Sequence, residues 1–252
     1  MTQQEAIFEY ILRMGDNSLI LGHRLSEWCG HGPILEQDIA LTNIALDLIG
    51  QSRNYLTAAG NVEGKGRSED DLAFFRIERD FKNVLLVEQP NGDWGVTLAR
   101  QFLFDHFHYL VLQDLRNSSH EELRDIAEKS IKEVTYHVRY SSDWMKRLGD
   151  GTEESHRRVQ QGIDDLWRYT GEMFEMDEVD AMLVEAGIAP DLSLLKEKWH
   201  ENVSAVLKEA TIDVPEEQFM QTGGKKGIHT EHLGYLLAEM QHLPRTYPDA
   251  KW

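Results

Sequence analysis

Apolar residues recur three and four positions apart along nearly the whole 252-residue chain, and glycine or proline interrupts them at only a few corners. That spacing is the period of a helix, because residues three or four apart share one helical face, whereas a strand alternates every second residue. The corners fall at Gly30-His31-Gly32-Pro33, Gln89-Pro90-Asn91-Gly92, Gly149-Asp150-Gly151 and Thr222-Gly223-Gly224-Lys225-Lys226-Gly227. Between them the pattern predicts long helices over about 3–28, 34–59, 93–117, 121–148 and 152–175, with a shorter one over about 69–83. Further short helices are expected around 177–187, 191–210 and 230–243. Two long hairpins joined by a crossing segment describe an all-α, up-down bundle with one long connection.

Nothing in the composition changes along the chain, so the sequence reads as one domain over 1–252, with a bundle core at about 3–175 and additional C-terminal helices at about 176–252. The formal charge of −18, from 44 acidic and 26 basic residues, argues against a nucleic-acid or anionic-lipid partner, since both demand concentrated Lys and Arg. Cys29 is the only cysteine, which excludes an intrachain disulfide and a cysteine-based zinc site and is expected to be a packed residue in a reducing compartment. The first fifteen residues lack a signal core, and no run of about 18 apolar residues occurs, so a cytoplasmic protein without a membrane span is expected.

Few residues suggest chemistry. In the helix over 121–148, His137 follows Glu133 by four positions and Val134 by three, whereas a metal-binding helix of a carboxylate bundle needs Glu-x-x-His to aim both side chains at one point. A Glu133–His137 hydrogen bond is the simpler reading. His106 and His108 stand two apart and diverge on a helix, and around His229, Glu231 and His232 adjacent residues point about 100° apart, which favours a cap and interface role over a metal site. The aromatic residues Trp94, Phe102, Phe104, Phe107, Tyr109, Trp144 and Trp167 are expected to be core.

Four stretches carry a resemblance: Trp28-Cys29-Gly30-His31-Gly32-Pro33 with Asp47-Leu48-Ile49-Gly50-Gln51 after it; Lys132-Glu133-Val134-Thr135-Tyr136-His137; Ile163-Asp164-Asp165-Leu166-Trp167; and the terminal run Gly223 to Gly234. Together they resemble the phenylacetyl-CoA epoxidase (phenylacetate-CoA oxygenase) subunits over almost the whole chain, the last run looking most like the family's C subunits. The resemblance implies a ferritin-like bundle. In the family's catalytic A subunit such a bundle supplies one carboxylate, a Glu-x-x-His, another carboxylate and a second Glu-x-x-His to two irons. Carried onto this sequence, those positions are Ser18, then Leu48 and Gln51, then Asp105, then Val134 and His137. Three of four carboxylates are replaced, and two irons need such carboxylates to offset their charge. The resemblance therefore implies no metal or cofactor in this chain and a di-iron centre in a catalytic partner. Asp105 and His137, left in an apolar core, are expected to hydrogen-bond to each other or to Gln51 and Ser18.

The implied partners are the di-iron A subunit, further small subunits and a reductase subunit, acting on phenylacetyl-CoA to give a ring 1,2-epoxide. Arg76, Arg79 and Lys82, spaced by three on the expected 69–83 helix, form a basic stripe that suits a CoA phosphate, with Asp80, Phe81 and Asn83 completing a rim; the alternative is that they complement the helix dipole. Lys225 and Lys226 among three glycines suggest an interface or anion-binding loop, without matching a phosphate-loop spacing. The resulting reading is a non-catalytic, structural subunit of the epoxidase. Its rivals are an oxygenase with an atypical metal site on Asp105, His137 and Glu133, and a CoA-ester carrier using Arg76, Arg79 and Lys82.

Overall fold

The long helices form where the periodicity places them, and most open on a side chain that accepts a free amide. Thr2 and Glu5 make a reciprocal capping box at the start of α1 (Gln3–Ser26), Asp93 caps α5 (Trp94–Leu115), His120 caps α6 (Glu121–Gly149), and Thr152 caps α7 (Glu153–Trp167). The computed structural model describes residues 1–216 and 218–250, and among these no strand occurs. The remaining helices are α2 (Leu35–Glu63), α3 (Glu69–Phe74), α4 (Leu85–Glu88), α8 (Glu178–Glu185), α9 (Leu192–Glu209) and α10 (Glu231–Thr246).

The chain divides into two compact units, Met1–Gln89 with Gly223–Trp252, and Pro90–Thr222. The helices expected to form a separate appendage are thus shared out: α8 and α9 belong to the second unit and α10 to the first.

In the first unit α1 and α2 form an antiparallel hairpin. Gly15 and Gly22, seven residues apart on α1, let α2 come close: a Cβ on Gly22 would stand 3.3 Å from the Ala45 carbonyl, and one on Gly15 would stand 2.8 Å from the Leu56 side chain. From Tyr10 to Gly22 every residue of α1 is buried, including Arg13, Asp16, Asn17 and Ser18. The corner between the helices is fixed by the Gly32 amide donating to Asp38 at 2.9 Å, yet Cys29 within it is exposed, contrary to the packed cysteine expected.

The helix expected over 69–83 does not form as one piece. It stops at Phe74, a 3-10 turn covers Glu78–Asp80, and α4 appears in what reads as an irregular stretch. The break follows from Arg76, which turns into the unit and donates from Nε to the Leu72 carbonyl, ending α3.

In the second unit α5 is the central helix, buried on all sides over most of its length. Gly162 of α7 rests against α5, where a Cβ would meet the Val96 Cα at 3.0 Å. Trp199 fastens α9 to α5: its indole donates to the Leu103 carbonyl at 3.0 Å, and its ring lies 5.5 Å from Trp167 and 5.3 Å from Phe174. The helix expected over 152–175 ends at Trp167, where the Thr170 hydroxyl donates to the Trp167 carbonyl at 2.8 Å, and a 3-10 turn spans Gly171–Phe174.

Candidate functional site

The six positions matched to metal ligands fall in both units: Ser18, Leu48 and Gln51 in the first, Asp105, Val134 and His137 in the second. All six are buried. Ser18 donates to the carbonyl of Met14, one turn back in its own helix, at 3.1 Å. Asp105 takes hydrogen bonds from the Gln101 amide at 2.6 Å and the Ser141 hydroxyl at 2.8 Å, so two neighbours that the sequence reading did not single out hold this carboxyl. Both lie four residues from a candidate ligand, Gln101 before Asp105 and Ser141 after His137, which is the signal that could have found them.

Burial pushes the Asp105 carboxyl up to about 7, against the opposing pull of the His137 charge and the two hydrogen bonds. Burial likewise pushes His108 down to about 3, helped by repulsion from His137, and His106 down to about 4. His106 lies 3.0 Å from the Ser142 hydroxyl, while neither ring nitrogen of His108 has a hydrogen-bond partner. Among the described residues no group of three or more His, Cys, Asp and Glu is arranged to hold a metal ion. The donor set at the six positions contains one carboxylate and one imidazole, together with a hydroxyl, an amide and two aliphatic side chains; it does not fit two irons.

In the second candidate region, the expected CoA rim, burial withdraws Arg76, Phe81 and Asn83. Arg76 is 4% exposed and its guanidinium grips both oxygens of Asp16, with Nη1 2.9 Å from Oδ2, donates also to the Asp80 carbonyl at 2.9 Å, and stacks 4.2 Å from the Phe81 ring. Asn83 and Phe81 are fully buried. Lys82 is largely covered, its ammonium 3.8 Å from Glu9. Arg79 and Asp80 remain exposed. The three basic residues therefore do not form a stripe, because the helix that would align them is broken.

The glycine-rich loop packs against this same segment. A Cβ on Gly224 would collide with the Asn83 carbonyl and one on Gly227 with the Arg79 carbonyl, and Gly227 has φ +73°. After the loop, His229 and Thr230 close on Glu88, a completely buried carboxylate. Oε1 accepts from the Thr230 amide at 2.6 Å and its hydroxyl at 2.7 Å; Oε2 accepts from Asn83 at 2.9 Å and lies 2.8 Å from His229 Nδ1. One amide at the start of α10, that of Thr230, thus already has a carboxylate from the protein itself. Lys226 lies at the surface of the loop.

Asp16, Asn17 and Glu88 are the residues that sequence reasoning missed. Asn17 accepts from the Val84 amide at 2.8 Å and Asp16 from the Lys82 amide at 2.8 Å, so two polar residues of α1 hold the 76–84 segment. An Asp-Asn pair set inside the apolar run of α1 was the available signal.

A sequence profile described as "Phenylacetic acid catabolic protein" matches residues 1–252. The chain is 52% identical over 243 residues to the C subunit of the 1,2-phenylacetyl-CoA epoxidase of Escherichia coli (strain K12), covering 96% of this chain and 98% of that protein. The all-helical architecture, the ferritin-like hairpins and these two matches agree, and the chain belongs to the phenylacetic acid catabolic protein family.

Proposed function

We propose that this chain is a structural, non-catalytic subunit of a 1,2-phenylacetyl-CoA epoxidase, acting in the cytoplasm in aerobic phenylacetate catabolism. Its work is to bind and support the di-iron A subunit that epoxidises the ring of phenylacetyl-CoA, in a complex completed by further small subunits and a reductase. The observation that carries the non-catalytic part is the donor set: of the four carboxylate positions only Asp105 keeps one, and burial drives that group toward its neutral form at pH 7. The likeness to the C subunit of an epoxidase over nearly full length supports the assembly part.

Reconstitution tests the proposal. The purified chain should carry no stoichiometric iron or manganese and turn over no phenylacetyl-CoA, and adding it to the di-iron subunit with its reductase should raise epoxidation at least several-fold. Bound metal lost on His137→Ala, or equal activity with and without the chain, would overturn it.

For a contribution to CoA binding, Arg79 and Lys226 are the cations that stand on adjoining backbone, since Gly227 packs on the Arg79 carbonyl. Arg79→Glu with Lys226→Glu should then raise KM for the CoA ester in the assembled complex and leave kcat unchanged; an unaltered KM removes this rim.

A further inference from the structure

The outward face of α2 carries apolar side chains that the packing of the first unit leaves uncovered. Leu35, Ile39 and Leu46 are 71%, 52% and 62% exposed, although α2 buries Leu41, Ile44, Ala45 and Leu48 on its opposite side. At about 100° per residue the three exposed side chains fall within a sector of about 40° and span about 17 Å of helix. Gly50 lies just beside that sector, and a Cβ there would meet nothing within 4 Å. Scattered exposed leucines are ordinary, but a row of three aligned along one helix marks a contact surface.

Charge says what kind of chain covers it. Glu36 and Asp47 flank the row on one side and Asp38 on the other, and no Lys or Arg occurs from Leu35 to Ser52. The next cation along α2, Arg53, is paired with Glu69 at 3.2 Å. A second copy of this chain would set acid against acid on a protein already carrying −18. The fitting occupant is a different protein, apolar at the centre and basic at the rim.

We propose that the Leu35–Ile39–Leu46 face of α2 is the docking surface for the di-iron subunit of the epoxidase, which meets it with an apolar helical face edged by Lys or Arg. This rests on the subunit reading above. Gly50 lets the partner's backbone come close at one end of the row, and the acidic edges set its orientation and speed its approach.

The experiment measures binding of the purified di-iron subunit to the full chain and to surface variants. Ile39→Asp with Leu46→Asp should lower affinity about 100-fold or more, the effect of losing two central apolar anchors, with circular dichroism and thermal unfolding unchanged because both side chains are exposed. Gly50→Gln, which fills open space and favours the helix, should weaken binding while raising stability. Glu36→Lys should slow association at low salt and match wild type at high salt. Tyr235→Asp, at an apolar residue of α10 that is 71% exposed, should bind as wild type. Wild-type affinity in the Ile39/Leu46 variant would overturn the proposal and spare the subunit reading, as would a homodimer of the chain that this variant breaks. Failure of the wild-type chain to bind would overturn both.

Discussion

His229 and Glu88, 141 residues apart in sequence, form a buried ion pair with Nδ1 2.8 Å from Oε2, and the other ring nitrogen of His229 lies 2.9 Å from the Phe81 carbonyl. With an acceptor on each side the imidazole is held as a cation. Burial opposes that charge, but Glu88 and the Phe81 carbonyl outweigh it and leave the His229 pKa above its ordinary 6.5. The pair's stabilisation is complete below that value and is lost as the pH rises through the higher folded-state value. Thermal unfolding between pH 6 and 9 should show stability falling with pH, and His229→Gln should flatten this slope and cost about 2 kcal/mol at pH 6.

Arg76 and Asp16 form a second buried pair, 4% and 0% exposed at their side chains. Asp16→Leu alone should cost about 3–5 kcal/mol, because it strands a buried guanidinium. Adding Arg76→Met should recover part of that loss. Recovery stays incomplete, since Asp16 also accepts from the Lys82 amide. Urea unfolding of the two single variants and the double variant gives the coupling directly.

Gly227→Ala combines a left-handed backbone with a collision against the Arg79 carbonyl, and should destabilise the first unit by about 2 kcal/mol or more. Gly64→Ala is the control. It has φ +69° and open space around it, so it should cost only about 1 kcal/mol. The difference between the two urea midpoints measures the packing of the loop on residues 79–83.

Asp105 reverses the usual pH logic of a carboxylate. Its folded value of about 7 against an ordinary 3.8 means that the folded protein keeps a proton the unfolded chain has released. Stability from this group therefore falls as pH rises from about 4 to about 7. Asp105→Asn removes that penalty and should gain up to about 4 kcal/mol above pH 7, with no gain at pH 4.

Most of the helical frame was legible because each long helix repeats one local signal many times. The period identified the long helices, and the glycine and proline corners bounded them to within a few residues, apart from the early stop at Trp167. What failed to show was whatever depends on a distant partner. The spacing of Arg76, Arg79 and Lys82 predicts one basic face, but Asp16, sixty residues earlier, draws Arg76 inward and breaks the helix. The Gly-Lys loop reads locally as an anion cradle, and only the fold reveals that its glycines pack on the Asn83 and Arg79 carbonyls, with Glu88 bonded to Thr230 just beyond it. Cys29 reads as an inert core residue because its corner looks fixed. The corner is fixed, yet it carries the thiol outward. At the six aligned positions the residue identities leave a single carboxylate; of its partners, Gln101 stands one turn back on the same helix, whereas Ser141 required the register of α5 against α6.

The first unit is assembled from both ends of the described chain, while the second is continuous between them. During synthesis a ribosome therefore releases everything needed for Pro90–Thr222 before it releases Gly224, His229 and Thr230, which Asn83 and Glu88 await. Until then the newborn amino-terminal segment keeps Glu88 without two of its donors, so a stop codon shortly before residue 223 should spare the inserted unit and leave the outer one unfinished.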